Sequence, residues 1–254
     1  MKVDSTTDPT TDLSTVQSST VLSRPAALLC DMDGTLVDTE PAWSRAVGDV
    51  VRAHGLSWTV KDDLDIVGWP IPRLVQTVQE RGVDLPAEEI VSRLHETLAA
   101  VIADHVPWRD GAVELIATAR RAGVPVALVT ATYAAGTTAL RRDLAQRMAE
   151  RDFDAVVTGD TVRQQKPHPE SYQRAAGLLK VRPEDCIAIE DSATGIGAAI
   201  AAGAHTFGVQ PNTQLPTGLA NHPRLRRVTA LSEVAAQFGA APPGPPWAPP
   251  RPDR

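Results

Sequence analysis

The stretch Ala27-Leu28-Leu29-Cys30-Asp31-Met32-Asp33-Gly34-Thr35 carries most of the information about the fold of this 254-residue chain. An apolar run leads into two aspartates spaced i, i+2, which share one face if the run is a β-strand. Asp31 and Asp33 would then lie close together past the carboxyl end of that strand, where open α/β sheets bind ligands. Two adjacent carboxylates repel each other, so they are expected to hold a cation or to share a proton. The same residue types also form ordinary turns and helix caps, so the rest of the chain has to decide.

Size and composition limit the classes of protein that this chain can belong to. It is long enough for one large domain, or for a core with a smaller domain, and 43% of its residues are apolar. The formal net charge of -6 argues against a protein that binds nucleic acid through its phosphates. Cys30 and Cys186 both lie in apolar runs, so we expect no disulfide framework and a reducing compartment.

The two ends of the chain differ in composition from the middle. Residues 1–24 are rich in Ser, Thr and Asp, and residues 241–254 are dominated by proline. Both are predicted to be disordered, although the tail could also bind a proline-reading module. Since no signal peptide and no apolar stretch of membrane-spanning length is seen, we expect a cytoplasmic protein without a membrane partner.

Short apolar runs alternate with segments of helical periodicity over most of the chain. The predicted buried strands are Ala26–Cys30, Val124–Thr130, Ala155–Thr158, Cys186–Ile189 and His205–Val209. The predicted helices between them are Gly111–Ala122, Ala134–Arg151, Pro169–Lys180 and Thr194–Ala202. This alternation predicts an α/β fold, a doubly wound, Rossmann-like parallel sheet with helices on both faces.

The segment 39–107 interrupts the alternation, because it contains no convincing strand. Its predicted helices are Trp43–His54, Ile71–Arg81 and Ala87–His105. An insertion after the first strand would lie above the carboxyl edge of the sheet, where a lid belongs, although it could also be a packing layer of the core. We therefore predict a core domain of residues 25–38 and 108–240 with a small α-helical cap domain of residues 39–107.

A hydroxyl group and a lysine at predicted strand ends could bind an anion. Thr130 ends a strand, and its hydroxyl with the following backbone amides, beginning at Ala131, could hold a phosphate group. Lys166 lies in a loop that two prolines order, where it would offset nearby carboxylates and bind phosphate oxygens. Each signal is weak alone, because threonine is common at strand ends and a lone lysine is usually solvated.

Two further acids follow the predicted strand Cys186–Ile189. Glu190 and Asp191 would be costly to bury there unless they are paired or bound to a metal. Together with Asp31 and Asp33 they would form an all-oxygen site, and hard oxygen ligands that leave room for water and phosphate suit Mg²⁺.

The order of these motifs resembles that of the haloacid dehalogenase-like phosphohydrolases over residues 26–209. The matching motifs are Asp31-Met32-Asp33-Gly34-Thr35, Thr130, Lys166-Pro167 and Glu190-Asp191-Ser192. The helical segment after the first motif resembles the small cap of the subfamily that contains beta-phosphoglucomutase and many sugar-phosphate phosphatases.

The resemblance implies a role for each matching residue. Asp31 would be the nucleophile that forms an aspartyl-phosphate, and Asp33 would protonate the leaving oxygen and then activate water. The residues implied to hold or orient Mg²⁺ are Asp31, Asp33 through its backbone carbonyl, Glu190 and Asp191. The groups implied to grip the phosphoryl oxygens are the Thr130 side chain, the Ala131 amide and Lys166.

Several other activities are compatible with part of this pattern. Dehalogenases of this family lack the second acid, so Asp33 disfavours them. Beta-phosphoglucomutase carries a histidine early in its cap where this chain has Trp43, so we predict a phosphatase and keep a phosphomutase as the alternative. A signalling receiver would carry its phosphorylated Asp after a later strand and would lack the insert. A catalytically silent binding protein has no support, since each expected catalytic position is filled.

The predicted substrate is a small phosphorylated metabolite. Sugar phosphates come first, followed by phosphoglycolate, glycerol phosphate and nucleoside monophosphates. Trp69 and Arg73 are candidate substrate-binding residues of the cap, although Trp69 could pack within the cap and Arg73 could be a solvated helix start. His95 and His105 are expected on the cap's helix surface. We expect a monomer or a weak homodimer.

Overall fold

The computed structural model of the protein describes residues 25–66, 69, 71–103, 105–149, 152–209 and 213–238. The predicted disorder of the segments 1–24 and 241–254 lies outside these described residues. Within them, the strands are β1 Leu28–Cys30, β2 Val126–Val129, β3 Ala155–Val157, β4 Ile187–Glu190, β5 His205–Gly208 and β6 Leu225–Arg227. The α-helices are α1 Glu40–Ala53, α2 Val60–Asp65, α3 Ile71–Glu80, α4 Ala87–Ala103, α5 Ala112–Arg121, α6 Ala134–Met148, α7 Glu170–Leu178, α8 Ala193–Ala202, α9 Thr217–Ala220 and α10 Leu231–Ala235.

The strands form one sheet in the order β3-β2-β1-β4-β5-β6, and every pairing is parallel. This confirms the predicted Rossmann-like sheet. β1 lies at its centre, with Leu29 in register with Ala127 of β2 and Ala188 of β4. The strand order reverses between β1 and β4, and a crevice at the carboxyl ends forms at such a switch point. β6 was not predicted, because two of its residues are exposed arginines and give no apolar signal.

Helices cover both faces of the sheet. Leu28 and Cys30 of β1 enter one buried cluster with residues of α5 and α6, whereas Leu29 enters a second with residues of α7 and α8. Strands that are buried on both faces consist of continuous apolar runs, which is the pattern that the sequence shows. Cys30 and Cys186 are buried free thiols.

The residues 39–107, here called the helical insert, contain α1 to α4 and have a hydrophobic cluster of their own. The chain leaves and re-enters the sheet region through neighbouring segments, since the Asp38 amide donates to the Pro107 carbonyl at 2.9 Å. The insert also packs against α6, where Leu98 and Ile102 of α4 meet Ala139. These contacts support the predicted division into a core and a cap, which stays a prediction.

The insert contains one helix that was not predicted. The sequence of α2, Val-Lys-Asp-Asp-Leu-Asp, has too little apolar periodicity to indicate a helix. Its start is stabilised by a capping box, in which Thr59 and Asp62 exchange hydrogen bonds. Among the helices that the structure describes, none has the length and apolar character that crossing a membrane requires.

Candidate active site

A buried lysine joins the carboxyl ends of three neighbouring strands, β1, β2 and β4. Lys166 Nζ donates to Asp31 Oδ1 at 2.7 Å and to Glu190 Oε1 at 2.6 Å, and also to the carbonyl of Val129 at 3.0 Å. Only 7% of the lysine side chain is exposed, so the alternative of a solvated surface lysine is wrong. The three strand ends β1, β2 and β4 thus meet at one ammonium group.

Glu190 is the most completely enclosed acid of the site. Its side chain has no exposed surface, and the Tyr172 hydroxyl donates to its Oε1 at 2.7 Å. The hydroxyl of Ser192 donates to Oε2 at 3.2 Å. A Cβ at Gly195 would lie 1.9 Å from Oε1, so only glycine lets the first turn of α8 approach this carboxylate. This glycine therefore allows the helix and the carboxylate to pack closely.

Asp31, Glu190 and Asp191 offer oxygen atoms that all lie within 4.8 Å of one another. Because the only cation that pairs with them among the described residues is Lys166, the ionised cluster carries an excess of two negative charges. Burial and then Glu190 raise the pKa of Asp31, and Lys166 opposes this shift. Burial and Glu190 also raise the pKa of Asp191 to about 7. The cluster thus fits a divalent metal ion, which would offset the excess charge and keep the carboxylates ionised.

The lysine itself stays protonated in this surrounding. Burial alone would lower the pKa of Lys166, but the carboxylates of Asp31 and Glu190 overcome this effect and raise it. A permanently charged ammonium group beside Asp31 is suited to hold the oxygens of a phosphate ester.

The carboxylate of Asp33 has a different set of partners from that of Asp31. Its Oδ1 accepts from the Thr39 hydroxyl at 2.7 Å and from Trp43 Nε1 at 3.1 Å. Its Oδ2 accepts from the hydroxyls of Thr132 at 2.6 Å and Thr130 at 3.3 Å. The insert therefore holds one oxygen, through α1 and the residue before it, and the loop after β2 holds the other.

None of these four donors was predicted from the sequence as a partner of Asp33, since Thr130 was assigned to the phosphoryl oxygens. Thr39 and Thr132 are both buried, and Thr132 lies two residues after Thr130. A second hydroxyl two residues after Thr130 was the available signal, because alternate residues near a strand end can face the same way.

Thr130 and Ala131 lie in the loop beside this carboxylate. The Thr130 hydroxyl accepts from the Thr132 amide at 3.0 Å, in addition to its contact with Asp33. Ala131 is half-buried, and its carbonyl oxygen lies close to Gly159. A Cβ atom added to Gly159 would lie 2.0 Å from that oxygen. The structure brings both residues to the site, and their grip on a phosphoryl group stays a prediction.

The candidate substrate-binding residues of the insert contact each other. The Arg73 guanidinium lies over the Trp69 ring, 5.0 Å from its centroid, and pairs with Glu80 at 3.6 Å. Trp69 is half-buried against the cluster inside the insert, as the packing alternative expects. Their role in binding a substrate stays a prediction.

His95 is not on the surface of the insert, so that expectation was wrong. The residue is only 2% exposed, because it lies on the face of α4 that packs against α6. Its ring stacks on Tyr133, with 4.4 Å between centroids, and meets the Trp43 ring edge-on at 5.4 Å. His105 is exposed as expected and lies beyond the end of α4.

Comparisons with known proteins agree with this geometry. The family model of the haloacid dehalogenase-like hydrolases matches residues 25–203. The fructose-1-phosphate phosphatase YqaB of Escherichia coli is 32% identical over 184 residues, which are 71% of this chain and 94% of that protein.

Two solved structures share the fold. A crystal structure of CbbY from Rhodobacter sphaeroides with xylulose-1,5-bisphosphate has a TM-score of 0.69 and 28% identity, covering 84% of this chain and 99% of that one. A Thermotoga maritima structure assigned as a beta-phosphoglucomutase has a TM-score of 0.60 and 27% identity, covering 83% and 96%.

Proposed function

Since this chain belongs to the haloacid dehalogenase-like hydrolase family and is a phosphatase of that family, we propose that it hydrolyses sugar phosphates with the help of Mg²⁺ through an aspartyl-phosphate on Asp31. One observation carries the proposal: Asp31 lies buried between Lys166 and the acids Glu190 and Asp191, at the switch point of the sheet. The lysine and the oxygen cluster together match what a phosphate ester and a divalent metal ion require.

The first half of the reaction forms a bond between an Asp31 oxygen and the phosphorus. The bond from phosphorus to the leaving oxygen breaks, and Asp33 gives that oxygen its proton. Lys166 offsets negative charge on the phosphoryl oxygens, and the hydroxyl of Thr130 and the amide of Ala131 hold them in place. Mg²⁺ would be bound by Asp31, the Asp33 carbonyl and Asp191, and Glu190 would orient these ligands.

The second half regenerates the enzyme. Asp33, now ionised, takes a proton from a water molecule that attacks the phosphorus, and the bond between Asp31 and the phosphorus breaks. A bound Mg²⁺ would neutralise charge on the transferring phosphoryl group. Splitting a difficult displacement into two steps in this way requires one acid that attacks and a second that carries the proton.

The substrate class rests on the relatives and on the insert. YqaB is a fructose-1-phosphate phosphatase and CbbY was crystallised with a phosphorylated ketose, so sugar phosphates are the first class to test. The insert, with Trp69 and Arg73 as candidate contacts, would select among them. We propose a monomer or a weak homodimer, and a cytoplasmic location, as the working state.

A phosphomutase is the second candidate, because a beta-phosphoglucomutase shares the fold. A mutase has to keep water from its phosphoenzyme and return the phosphoryl group to a bound intermediate. By the resemblance, Trp43 stands at the position of a histidine in the cap of beta-phosphoglucomutase, and its indole can donate a hydrogen bond but cannot accept a proton. This difference favours the phosphatase.

The test is release of inorganic phosphate from a panel of phosphate esters, with and without Mg²⁺. We expect wild-type protein to release phosphate from at least one hexose or pentose phosphate, and Asp31→Asn to lower kcat by at least about a thousandfold, because the attacking group is lost. Conversion of beta-glucose 1-phosphate into glucose 6-phosphate without net release would show a mutase. Unchanged turnover in Asp31→Asn would rule out the aspartyl-phosphate.

A further inference from the structure

Trp43 connects the helical insert to the second aspartate of the site. It lies in the first turn of α1, and its Nε1–H donates to Asp33 Oδ1 at 3.1 Å. An indole nitrogen is a donor only, so this bond can form with the carboxylate oxygen whatever the pH. The bond reaches the one acid that, in the proposed function, carries the proton.

Two further rings hold Trp43 in this place. The His95 ring of α4 meets the indole edge-on, with an angle of 81° between the planes and 5.4 Å between the centroids. His95 in turn stacks on Tyr133, the residue before α6, with 14° between the planes. We call these three residues the aromatic row. It runs from α1 through α4 to the core, so it ties the insert to the sheet domain beside Asp33.

The polar ring atoms of the buried His95 are only partly satisfied by hydrogen bonds. Its Nδ1 bonds to the Val91 carbonyl at 2.8 Å, but its Nε2 is buried and has no hydrogen-bond partner. Burying such a group costs about 1–3 kcal/mol, which a leucine at the same place would not cost. An aromatic ring at this position can stack on Tyr133 and also make an edge contact with Trp43.

We propose that Trp43 is a positioning residue for Asp33 and that His95 acts through Trp43, so that docking of the insert sets the direction of the proton-carrying carboxylate. The proposal rests on the proposed function of Asp33. From the core, Thr130 and Thr132 contact only Oδ2 of this carboxylate. The bonds to Oδ1 from the insert complete the orientation, and the aromatic row keeps the indole where it makes one of them.

The experiment compares two classes of substrate through kcat/KM, which reports the steps up to release of the alcohol. The leaving group of an alkyl phosphate is a basic alkoxide, which needs the proton from Asp33. The leaving group of p-nitrophenyl phosphate is a stable phenolate, which does not need it. We expect Trp43→Phe to lower kcat/KM for the alkyl phosphate about tenfold, a part of what general acid catalysis supplies. For p-nitrophenyl phosphate we expect a change of less than about twofold.

A matched control is available within the same insert. Trp58 Nε1 donates to Asp63 Oδ1 at 2.7 Å, so Trp58→Phe removes the same kind of indole–carboxylate bond away from Asp33. We expect this variant to keep the wild-type substrate ratio, defined as kcat/KM for the alkyl phosphate divided by kcat/KM for p-nitrophenyl phosphate. The ratio is measured in one preparation, so a reduced fraction of folded protein cancels from it.

The variants at His95 test the rest of the row. His95→Ala removes the stack and is expected to lower the ratio in the same direction as Trp43→Phe, and His95→Phe, which keeps an aromatic ring, is expected to restore it. Equal losses with both substrates in Trp43→Phe, or a ratio equal to that of Trp58→Phe, would overturn the positioning role while leaving the phosphatase intact. Absence of turnover of every phosphate ester by wild type would overturn the proposed function and the inference with it.

Discussion

At the scale of single residues, the site is a balance between buried charges. Lys166 is enclosed together with Asp31 and Glu190, and each of these acids keeps its place because the ammonium group offsets part of its charge. Removing one member of such a group leaves the others buried without a partner, which costs far more than the net gain from forming the group. This asymmetry makes the lysine a residue of both stability and chemistry.

Lys166→Met is therefore expected to lower the free energy of unfolding by about 3–5 kcal/mol, because it leaves two buried carboxylates unpaired. Lys61→Met is the control, since that lysine is 85% exposed and pairs with Asp65 at 3.7 Å on the surface of α2. We expect the control to change the unfolding free energy by less than about 0.5 kcal/mol. Urea unfolding of both variants measures this, and equal effects would contradict the role of the buried group.

At the scale of elements, close approach of helices to the sheet shapes the site. The first turn of α8 passes next to the Glu190 carboxylate, and α4 lies against α6 with His95 between them. Neither contact depends on one strong bond. Both depend on how near two elements can come, which small residues and flat rings decide.

Gly195→Ala is expected to disturb the site from within α8. The new methyl group would lie 1.9 Å from Glu190 Oε1, so the carboxylate or the helix has to move. We expect a loss of at least about 1–3 kcal/mol of unfolding free energy and a lower metal affinity. Gly177→Ala is the matched control in α7, where a Cβ meets no atom within 4 Å. There we expect a gain of up to about 1 kcal/mol, because alanine favours a helix. Thermal unfolding and a metal titration of both variants compare the two helices.

The buried ring of His95 predicts how stability depends on pH. Burial lowers the pKa of His95, against smaller opposite effects of the Val91 carbonyl, Asp33 and Asp160. In the unfolded chain, His95 binds a proton below about pH 6.5. In the folded protein the ring is still neutral just below that pH. The stability contributed by the neutral ring is complete above that pH and is lost as the pH falls from there towards the folded-state pKa.

We therefore expect the unfolding free energy of wild type to fall more between about pH 8 and about pH 5 than that of His95→Phe, which has no group to protonate. Urea unfolding at the two pH values measures the difference. The exposed His105 serves as the control in His105→Phe, which should follow wild type. A steeper fall in His95→Phe than in wild type would contradict a buried neutral histidine.

At the scale of the whole molecule, the sheet and the insert contribute to one site from opposite sides. The oxygen cluster that fits a metal lies at the switch point of the sheet, whereas Asp33 is held from both the sheet and the insert. A ligand that binds only the folded arrangement stabilises the whole molecule by mass action.

Mg²⁺ is accordingly expected to raise the stability of wild type, by about 2.7 kcal/mol when its free concentration is a hundred times its Kd. The effect should shrink as the pH falls through about 7, because Asp191 then takes up a proton that competes with the metal. In Asp191→Asn we expect little effect of Mg²⁺ at any pH. Thermal unfolding at constant ionic strength, with sodium chloride replacing magnesium chloride, checks this. An equal rise in wild type and Asp191→Asn would contradict the metal site.

The amino-acid sequence predicted the parallel sheet, and its motifs, read together with their family resemblance, predicted that Asp31, Lys166 and Glu190 lie in one site. Buried parallel strands are continuous apolar runs, and their carboxyl ends lie at one edge of the sheet, so residues that directly follow neighbouring strands lie close together. Asp31 and Glu190 follow such runs directly, whereas Lys166 was assigned to the site through the family resemblance. The elements β6, α2, α9 and α10 were not predicted.

The surroundings of Asp33 and His95 depend on tertiary packing that the sequence pattern did not predict. An apolar stripe on a helix predicts that the stripe is covered, but not by which element, and α4 turned out to be covered partly by α6 of the core. His95 is buried for that reason, and the partners of Asp33 come from segments almost a hundred residues apart, Thr39 on one side and Thr132 on the other. Such contacts depend on how the insert docks against the sheet, which local spacing along the chain does not encode.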